Sequence, residues 1–377
     1  MRSMFRILTI DGGGIRGIIP ALVLAEIERR TGKRICELFD LIAGTSTGGI
    51  LALGLTKPKP DGARAPQYTA RDMAKLYENE GHRIFSSSLL HRIFSLGGTL
   101  DTKYSSGPIE DVLADYFGDA MLSEALTRVL IPSYEIELRS AFFFKSHKAT
   151  GETLAADEKR EDYDFLMRDV ARATSAAPTY FEPELIDRER NAFALIDGGT
   201  YANNPTMCAV AEAICSTKFN KRLENVFVVS LGTGEQTRPL NYQSVKNWGL
   251  LSWAQPILSV VFHGVSDTVN YQTNLILNVA GKPKHHYRLQ TKLEGDIFKL
   301  DDTRPGTIRA LKGLANDLIE KHDRDIDDIC RTLAPKPRRR AAAPKGQAAA
   351  GKRRVAPAKG RAAAAGTRAR ATKKAAR

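Results

Sequence analysis

Ser46 stands at the centre of Gly44-Thr45-Ser46-Thr47-Gly48, with the apolar run Phe39-Asp40-Leu41-Ile42-Ala43 before it and Gly49-Ile50-Leu51-Ala52-Leu53-Gly54-Leu55 after it. The pattern reads as a strand feeding a helix through a tight turn. A serine at such a turn has its hydroxyl lifted clear of the sheet, and the flanking glycines are needed because side chains there would collide with neighbouring elements. The chemistry this serves is attack on an acyl carbonyl. It needs two further parts: donors for the oxygen that becomes negative, and a base for the serine proton.

Candidate donors lie in Asp11-Gly12-Gly13-Gly14-Ile15-Arg16-Gly17. The segment also satisfies G-x-G-x-x-G across Gly12, Gly14 and Gly17, so a dinucleotide-binding turn is the first reading to weigh. Such a site wants an acidic residue on the next strand to bind ribose, whereas here that strand runs into the serine turn. Backbone N–H groups of a glycine turn at a helix start, pointing at a reacting carbonyl, form an oxyanion hole instead.

For the base, an ordinary triad predicts a histidine on a late loop. None of the seven histidines is framed by a turn motif. Asp197 is better placed. It follows the strand-like run Ala192 to Ile196 and precedes Gly198 and Gly199, so its carboxylate emerges at an edge of the sheet with space around it. Desolvation raises an aspartate's pKa and makes it a stronger base. In isolation the same residues also read as a plain Asp-Gly-Gly turn.

The elements that must position these groups alternate. Phe5 to Ile10 reads as a strand, Ile18 to Arg30 as a helix ending near Gly32, and Leu38 to Leu55 repeats the order, which favours a parallel sheet covered by helices. Farther on, Val129 to Leu138 and Ala141 to Lys145 read as paired strands, Phe165 to Ala177 as a helix stopped by Pro178, and Thr206 to Ser216 as a helix. Val226 to Leu231 reads as a buried strand closing on Gly232-Thr233-Gly234, and Gly306 to Leu333 as one or two amphipathic helices. Trp248 to Val265 is apolar with polar interruptions and Pro256. That segment and Leu89 to Leu96 are candidates for contact with a membrane surface, core packing being the alternative.

Taken together and in this order, Asp11-Gly12-Gly13-Gly14-Ile15-Arg16-Gly17, Gly44-Thr45-Ser46-Thr47-Gly48 and Asp197-Gly198-Gly199 resemble the patatin-like phospholipase family. Ala173-Thr174-Ser175-Ala176-Ala177-Pro178-Thr179-Tyr180-Phe181, Tyr201-Ala202-Asn203-Asn204-Pro205 and the strand ending Ser230-Leu231-Gly232-Thr233-Gly234 are similar to the family too. The resemblance covers about residues 5 to 330. It implies a three-layer α/β/α fold with a mainly parallel central sheet, a Ser-Asp dyad in place of a triad, no metal or other cofactor, and phospholipid or lysophospholipid acyl esters as substrates. It makes Ser46 the nucleophile, Asp197 the base, and Gly12, Gly13 and Gly14 the oxyanion turn, with Asp11, Arg16, Gly17, Gly44, Gly48, Gly198 and Gly199 as supporting positions. The third motif reads Asp-Gly-Gly where many members have Asp-Gly-Ala, a variation within the family's range. Bacterial intracellular members include nucleotide-activated antiphage phospholipases, so a signal-activated, membrane-degrading effector is the alternative with the same chemistry.

Charge is unevenly distributed. The chain's formal net charge is +13, yet residues 335 to 377 hold 15 Lys or Arg and no Asp or Glu, leaving 41 basic against 43 acidic residues in the rest. An acyl hydrolase domain over 1–333 followed by a disordered basic tail over 334–377 is the expected organisation. The tail suits an anionic lipid surface and, as a distant alternative, nucleic acid through residues 335–377. Cys36, Cys208, Cys215 and Cys330 lack metal-ligand spacing and read as buried free thiols in a reducing compartment. With no signal-peptide core near the N-terminus and no apolar run of membrane-spanning length, a cytoplasmic location with peripheral association to the inner membrane face is expected.

Overall fold

The most apolar runs of the sequence become the innermost strands of one mixed sheet. The computed structural model describes residues 4–85, 103–188, 191–216, 219–237, 239–278, 283–293 and 299–335, all within one unit, Met1–Lys336. The Leu89 to Leu96 segment and the tail from residue 336 lie outside the described residues. The strands are β1 (Phe5–Ile10), β2 (Leu41–Gly44), β3 (Arg128–Glu135), β4 (Ser140–Lys145), β5 (Glu184–Asp187), β6 (Ala192–Asp197), β7 (Val226–Leu231), β8 (Glu235–Gln236), β9 (His286–Leu289) and β10 (Lys292–Leu293). The main sheet runs β5-β6-β3-β2-β1-β7-β9, with β4 paired to β3; β8 and β10 form a separate parallel pair.

β1 is central, parallel to β2 on one side and to β7 on the other, with Ile10 opposite both Gly44 and Leu231. This register puts three glycine-rich turns side by side beyond the carboxyl ends of β1, β2 and β7, where parallel sheets bind ligands. β3 pairs in parallel with β2 through Arg128 to Leu130 and antiparallel with β6 through Ser133 to Glu135. Ala43 of β2 faces Leu130 and Asp197 of β6 faces Ser133, so the carboxyl ends of β2 and β6 converge along β3, separated by Ile131 and Pro132. Proline cannot donate to a ladder, and it sits at the gap between two partners. β6 is an interior strand between β5 and β3, so Asp197 emerges within the sheet and not at an outer edge.

Side chains alternate between two cores, as strand geometry requires. Leu8, Ile10, Ile42, Val129, Ile131 and Val229 face one side, against α1 (Ile18–Thr31), α2 (Thr47–Thr56), α3 (Ala70–Ile84) and α4 (Met167–Thr174). Ile7, Leu41, Ala43, Leu130 and Val228 face the other, against α5 (Thr206–Cys215) and the end of α6 (Leu250–Leu277). The result is the expected helix–sheet–helix sandwich. α1 ends at Gly32 with φ +66, the left-handed cap its position predicts. Gly306 to Leu333 resolves into α7 (Pro305–Lys321) and α8 (Asp323–Leu333).

Three local expectations change. The segment around Trp248 is the first half of α6, a 28-residue helix that carries Pro256 in its seventh position. α4 stops at Thr174, before Pro178 is reached. Of the cysteines, all free, Cys215 is exposed and the other three are half-buried. Among the described residues, no helix is long and apolar enough to cross a membrane.

Candidate active site

β2 delivers Ser46 to the first step of α2 with φ 54 and ψ −123, a conformation that L residues rarely adopt. Such strain persists only where surroundings over-determine it. Here Ser46 N–H donates to Thr174 Oγ1 at 3.0 Å, and Thr174 Oγ1–H donates to the Pro132 carbonyl at 2.6 Å. Thr45 Oγ1–H donates to Ala202 O at 2.6 Å, and Thr47 Oγ1–H to Tyr77 Oη at 2.6 Å. The glycines are dictated by close approach: a Cβ on Gly44 would lie 2.0 Å from Gly48 O, and one on Gly48 would lie 2.2 Å from Ile10 O.

β6 delivers Asp197 to the same place. The side chain is 1% exposed, accepts Gly199 N–H at Oδ1 over 2.7 Å, and lies near enough to the Ser46 side chain for that hydroxyl to lower its pKa. Burial pushes its carboxyl up to about 7, against the lowering effect of the Gly199 N–H and the Ser46 hydroxyl. Gly198 has backbone neighbours only glycine tolerates, since a Cβ there would meet Pro132 O at 2.4 Å.

Three histidines are engaged by partners away from Ser46. His147 contacts Glu212, His286 contacts Asn274 and His322 contacts Asp325. His263 lies in a cavity wall, its pKa lowered by burial and by Arg16. His91 is outside the described residues.

The glycine turn at the end of β1 divides its amides. Gly12 N–H donates to the Asn203 carbonyl at 3.0 Å, which removes it from the expected set of three oxyanion donors. The amides of Gly13 and Gly14 have no hydrogen-bond partner among the described residues. Gly14 has φ +58, and a Cβ there would lie 2.2 Å from Leu300 O. Thr233, from the turn after β7, donates through Oγ1 to Gly12 O at 2.7 Å and packs so closely that a Cβ on Gly13 would be 2.3 Å from it.

Asp11 and Arg288 form a buried two-point ion pair at 2.8 and 2.5 Å, and Arg288 also donates to Ser230 Oγ at 3.0 Å. Arg16 braces the turn through Nε–H to Gly13 O at 3.2 Å, with burial pulling its pKa down to about 10. A Cβ on Gly17 would press within 2.3 Å of Thr47 Oγ1, so the two turns pack directly on each other. Thr174, Thr233 and Arg288 are supporting residues that sequence reasoning gave no role. The first two lay inside stretches already noted, whereas nothing near Arg288 pointed to Asp11.

A cavity of about 840 Å³ borders this arrangement. Gly12 and Asn203 line it, and the position a Gly12 Cβ would take is 3.2 Å from Ser46 Cβ, so the cavity is lined by a direct neighbour of the serine. Its lining combines apolar Leu240, Trp248, Pro256, Leu258, Val260 and Phe262 with charged side chains of both signs, Arg16, Lys103 and Lys299 among them beside Asp11, Glu235, Asp267 and Asp301, and with His263. Among the described residues no group of three His, Cys, Asp or Glu side chains is arranged to hold a metal ion.

This fold and site have relatives. Residues 8–210 match the patatin-like phospholipase family. Patatin-like protein 3 of Arabidopsis thaliana is 30% identical over 358 residues, covering 85% of this chain and 81% of its own. Patatin-like protein 2 of the same plant is 31% identical, covering 85% and 84%. A Solanum tuberosum protein named probable inactive patatin-3-Kuras 1 is 28% identical, covering 85% and 87%. The chain belongs to the patatin-like phospholipase family, which supports lipid acyl hydrolysis as its general activity.

Proposed function

We infer that the protein hydrolyses fatty-acyl esters of phospholipids or lysophospholipids through Ser46 and Asp197. One relative is named probable inactive, so family membership alone does not carry the reading. What carries it is Ser46, held at a strained turn beside the buried Asp197 carboxylate, which burial pushes up to about 7. A base is most effective when its pKa lies close to the working pH.

In this reading Asp197 takes the hydroxyl proton as Ser46 Oγ bonds to the acyl carbon. The carbonyl π electrons move onto oxygen, where the Gly13 and Gly14 amides receive the charge. The oxyanion collapses, the ester C–O bond breaks, and the proton on Asp197 passes to the leaving lysolipid or glycerol oxygen. Water then gives a proton to Asp197 while its oxygen attacks the acyl-enzyme, and Ser46 leaves with that proton as the fatty acid is released.

Access to lipid is supported by α6. From Pro239 to Ser266 the only Lys, Arg, Asp or Glu is Lys246, and Leu250, Ile257 and Val260 are exposed near a cavity wall built from the same segment. A tryptophan-bearing rim with one lysine and no acidic residue, beside a cavity of acyl-chain size, suits contact with a lipid leaflet.

Product analysis by mass spectrometry after incubation with mixed phospholipid vesicles tests the reading. Free fatty acid and lysophospholipid from the native chain, and neither from Ser46→Ala or Asp197→Asn of unchanged melting temperature at acid pH, are expected. Undiminished products from Ser46→Ala would sink it.

A further inference from the structure

Asn203 links the glycine turn to α6 and has one buried polar atom without a hydrogen-bond partner. It closes the short helical turn after Asp197, is 5% exposed, and gives its backbone carbonyl to Gly12 N–H. Its side-chain Nδ2 donates to Ser266 Oγ on α6 at 3.0 Å, while Oδ1 is buried without a hydrogen-bond partner. That oxygen lies 2.4 Å from where a Gly12 Cβ would sit, the same point that is 3.2 Å from Ser46 Cβ. It also lies 3.2 Å from the Cβ position of Gly199, itself 3.0 Å from Asp197 Oδ1. The end of the Asn203 amide therefore lies beside Gly12 and Gly199, on the side of the glycine turn that faces Ser46.

A bare carbonyl oxygen is the wrong group for that position. A buried acceptor without a donor is destabilising, and next to a carboxylate and a developing oxyanion its dipole opposes both charges. The alternative needs no movement of the backbone. The Ser266 hydroxyl can donate as well as accept, so rotating the amide by half a turn keeps the Ser266 bond, now from Ser266 Oγ–H to Oδ1. The same rotation turns the NH₂ toward Gly12 and Ser46. The unsatisfied acceptor disappears, and a donor replaces the one the glycine turn gave up.

We propose that Asn203 is a catalytic residue, its side-chain N–H completing the oxyanion hole with the amides of Gly13 and Gly14. The assignment rests on the acyl-hydrolase reading of Ser46 and specifies who holds the charge. α6 then has an inner function, because Ser266 fixes the orientation of the amide.

The test uses the full chain, a soluble short-chain ester, and two ligands of matched chain length. One is a trifluoromethyl ketone, which becomes an oxyanion when Ser46 adds to it; the other is an ether that cannot be attacked. Asn203→Ala is expected to lower kcat by about a hundredfold to a thousandfold, with KM nearly constant. Ketone affinity should fall by a comparable factor and ether affinity should hold. Asn203→Asp keeps the shape but removes the donor, and should lose at least as much. Ser266→Ala, which only frees the amide, should lower kcat by about tenfold.

A kcat for Asn203→Ala near that of the native chain, or equal losses for ketone and ether, overturns the assignment. If both Asn203 variants fail to fold, a folded Ser266→Ala with native kcat and ketone affinity overturns it as well. Absence of turnover in the native chain would instead strike the acyl-hydrolase reading beneath it.

Discussion

The Thr174 hydroxyl holds Ser46 by its backbone, not by its side chain: it accepts the Ser46 N–H at 3.0 Å and passes its own proton to the Pro132 carbonyl at 2.6 Å. One hydroxyl thereby ties the turn after β2 to the stretch of β3 that separates Ser46 from Asp197. Thr174→Val keeps the shape and removes both bonds, leaving a buried N–H unpaired at a cost of about 1 to 3 kcal/mol. A lower melting temperature and a several-fold lower kcat on a soluble ester are expected. Native values for both would show that the strained turn holds itself.

Rate and stability should respond oppositely to pH through Asp197. As a base it works only when deprotonated, so turnover should rise with pH and level off above about 7, the value to which burial pushes the carboxyl. The proton is bound more tightly in the folded chain than in the unfolded one, where the carboxyl returns to about 3.9. The stabilisation from this proton is complete below that lower value and is lost as pH rises through 7. Asp197→Asn should therefore melt higher than the native chain at pH 8, by on the order of 3 kcal/mol, and the gap should close on acidification. A constant gap across pH 4 to 8 would remove the buried charge from the account.

No histidine should be essential. His263→Gln alters a cavity wall and should change kcat on a soluble ester by less than about tenfold. A loss as deep as that of Ser46→Ala, in a protein that still folds, would restore a triad.

Gly14→Ala meets Leu300 O and a left-handed backbone at once. Turnover should fall far more than substrate affinity, since the amide acts in the transition state. Equal changes in kcat and KM in kinetic analysis would place Gly14 in ground-state binding instead.

The lipid rim predicts a separation of assays. Ile257→Asp places a charge on an exposed position of α6 and should weaken sedimentation with phospholipid vesicles while leaving soluble-ester hydrolysis within about twofold. Trp253, T-stacked on Trp248 at 5.3 Å, should behave similarly on replacement by alanine. Parallel losses in both assays would assign these residues to packing.

Much of this site was legible because strands and glycines leave local signatures. Ile10, Ala43 and Leu231 end apolar runs and are followed at once or one residue later by glycines where a Cβ would collide with a neighbour, so turns and their order could be read directly. The division of the Gly12 to Gly14 amides could not. It depends on Asn203 O, nearly two hundred positions away, and no spacing encodes which carbonyl a given amide will meet. α6 was hidden by Pro256, which argues against a helix interior by propensity; at the seventh residue it removes the N–H that would bond the Ser252 carbonyl, and the helix continues through it. Arg288 was invisible for the same reason as Asn203: its meaning lies wholly in the partner it finds.

That partner is Asp11, 277 positions earlier in the chain. During synthesis the glycine turn, the serine and the aspartate leave the ribosome in that order, and Arg288 comes after all of them. Until it arrives, the carboxylate beside the glycine turn lacks its two-point partner and has only the charge of Arg16 nearby. Burial of Asp11 beside the glycine turn is thus completed only when nearly the whole domain has been made.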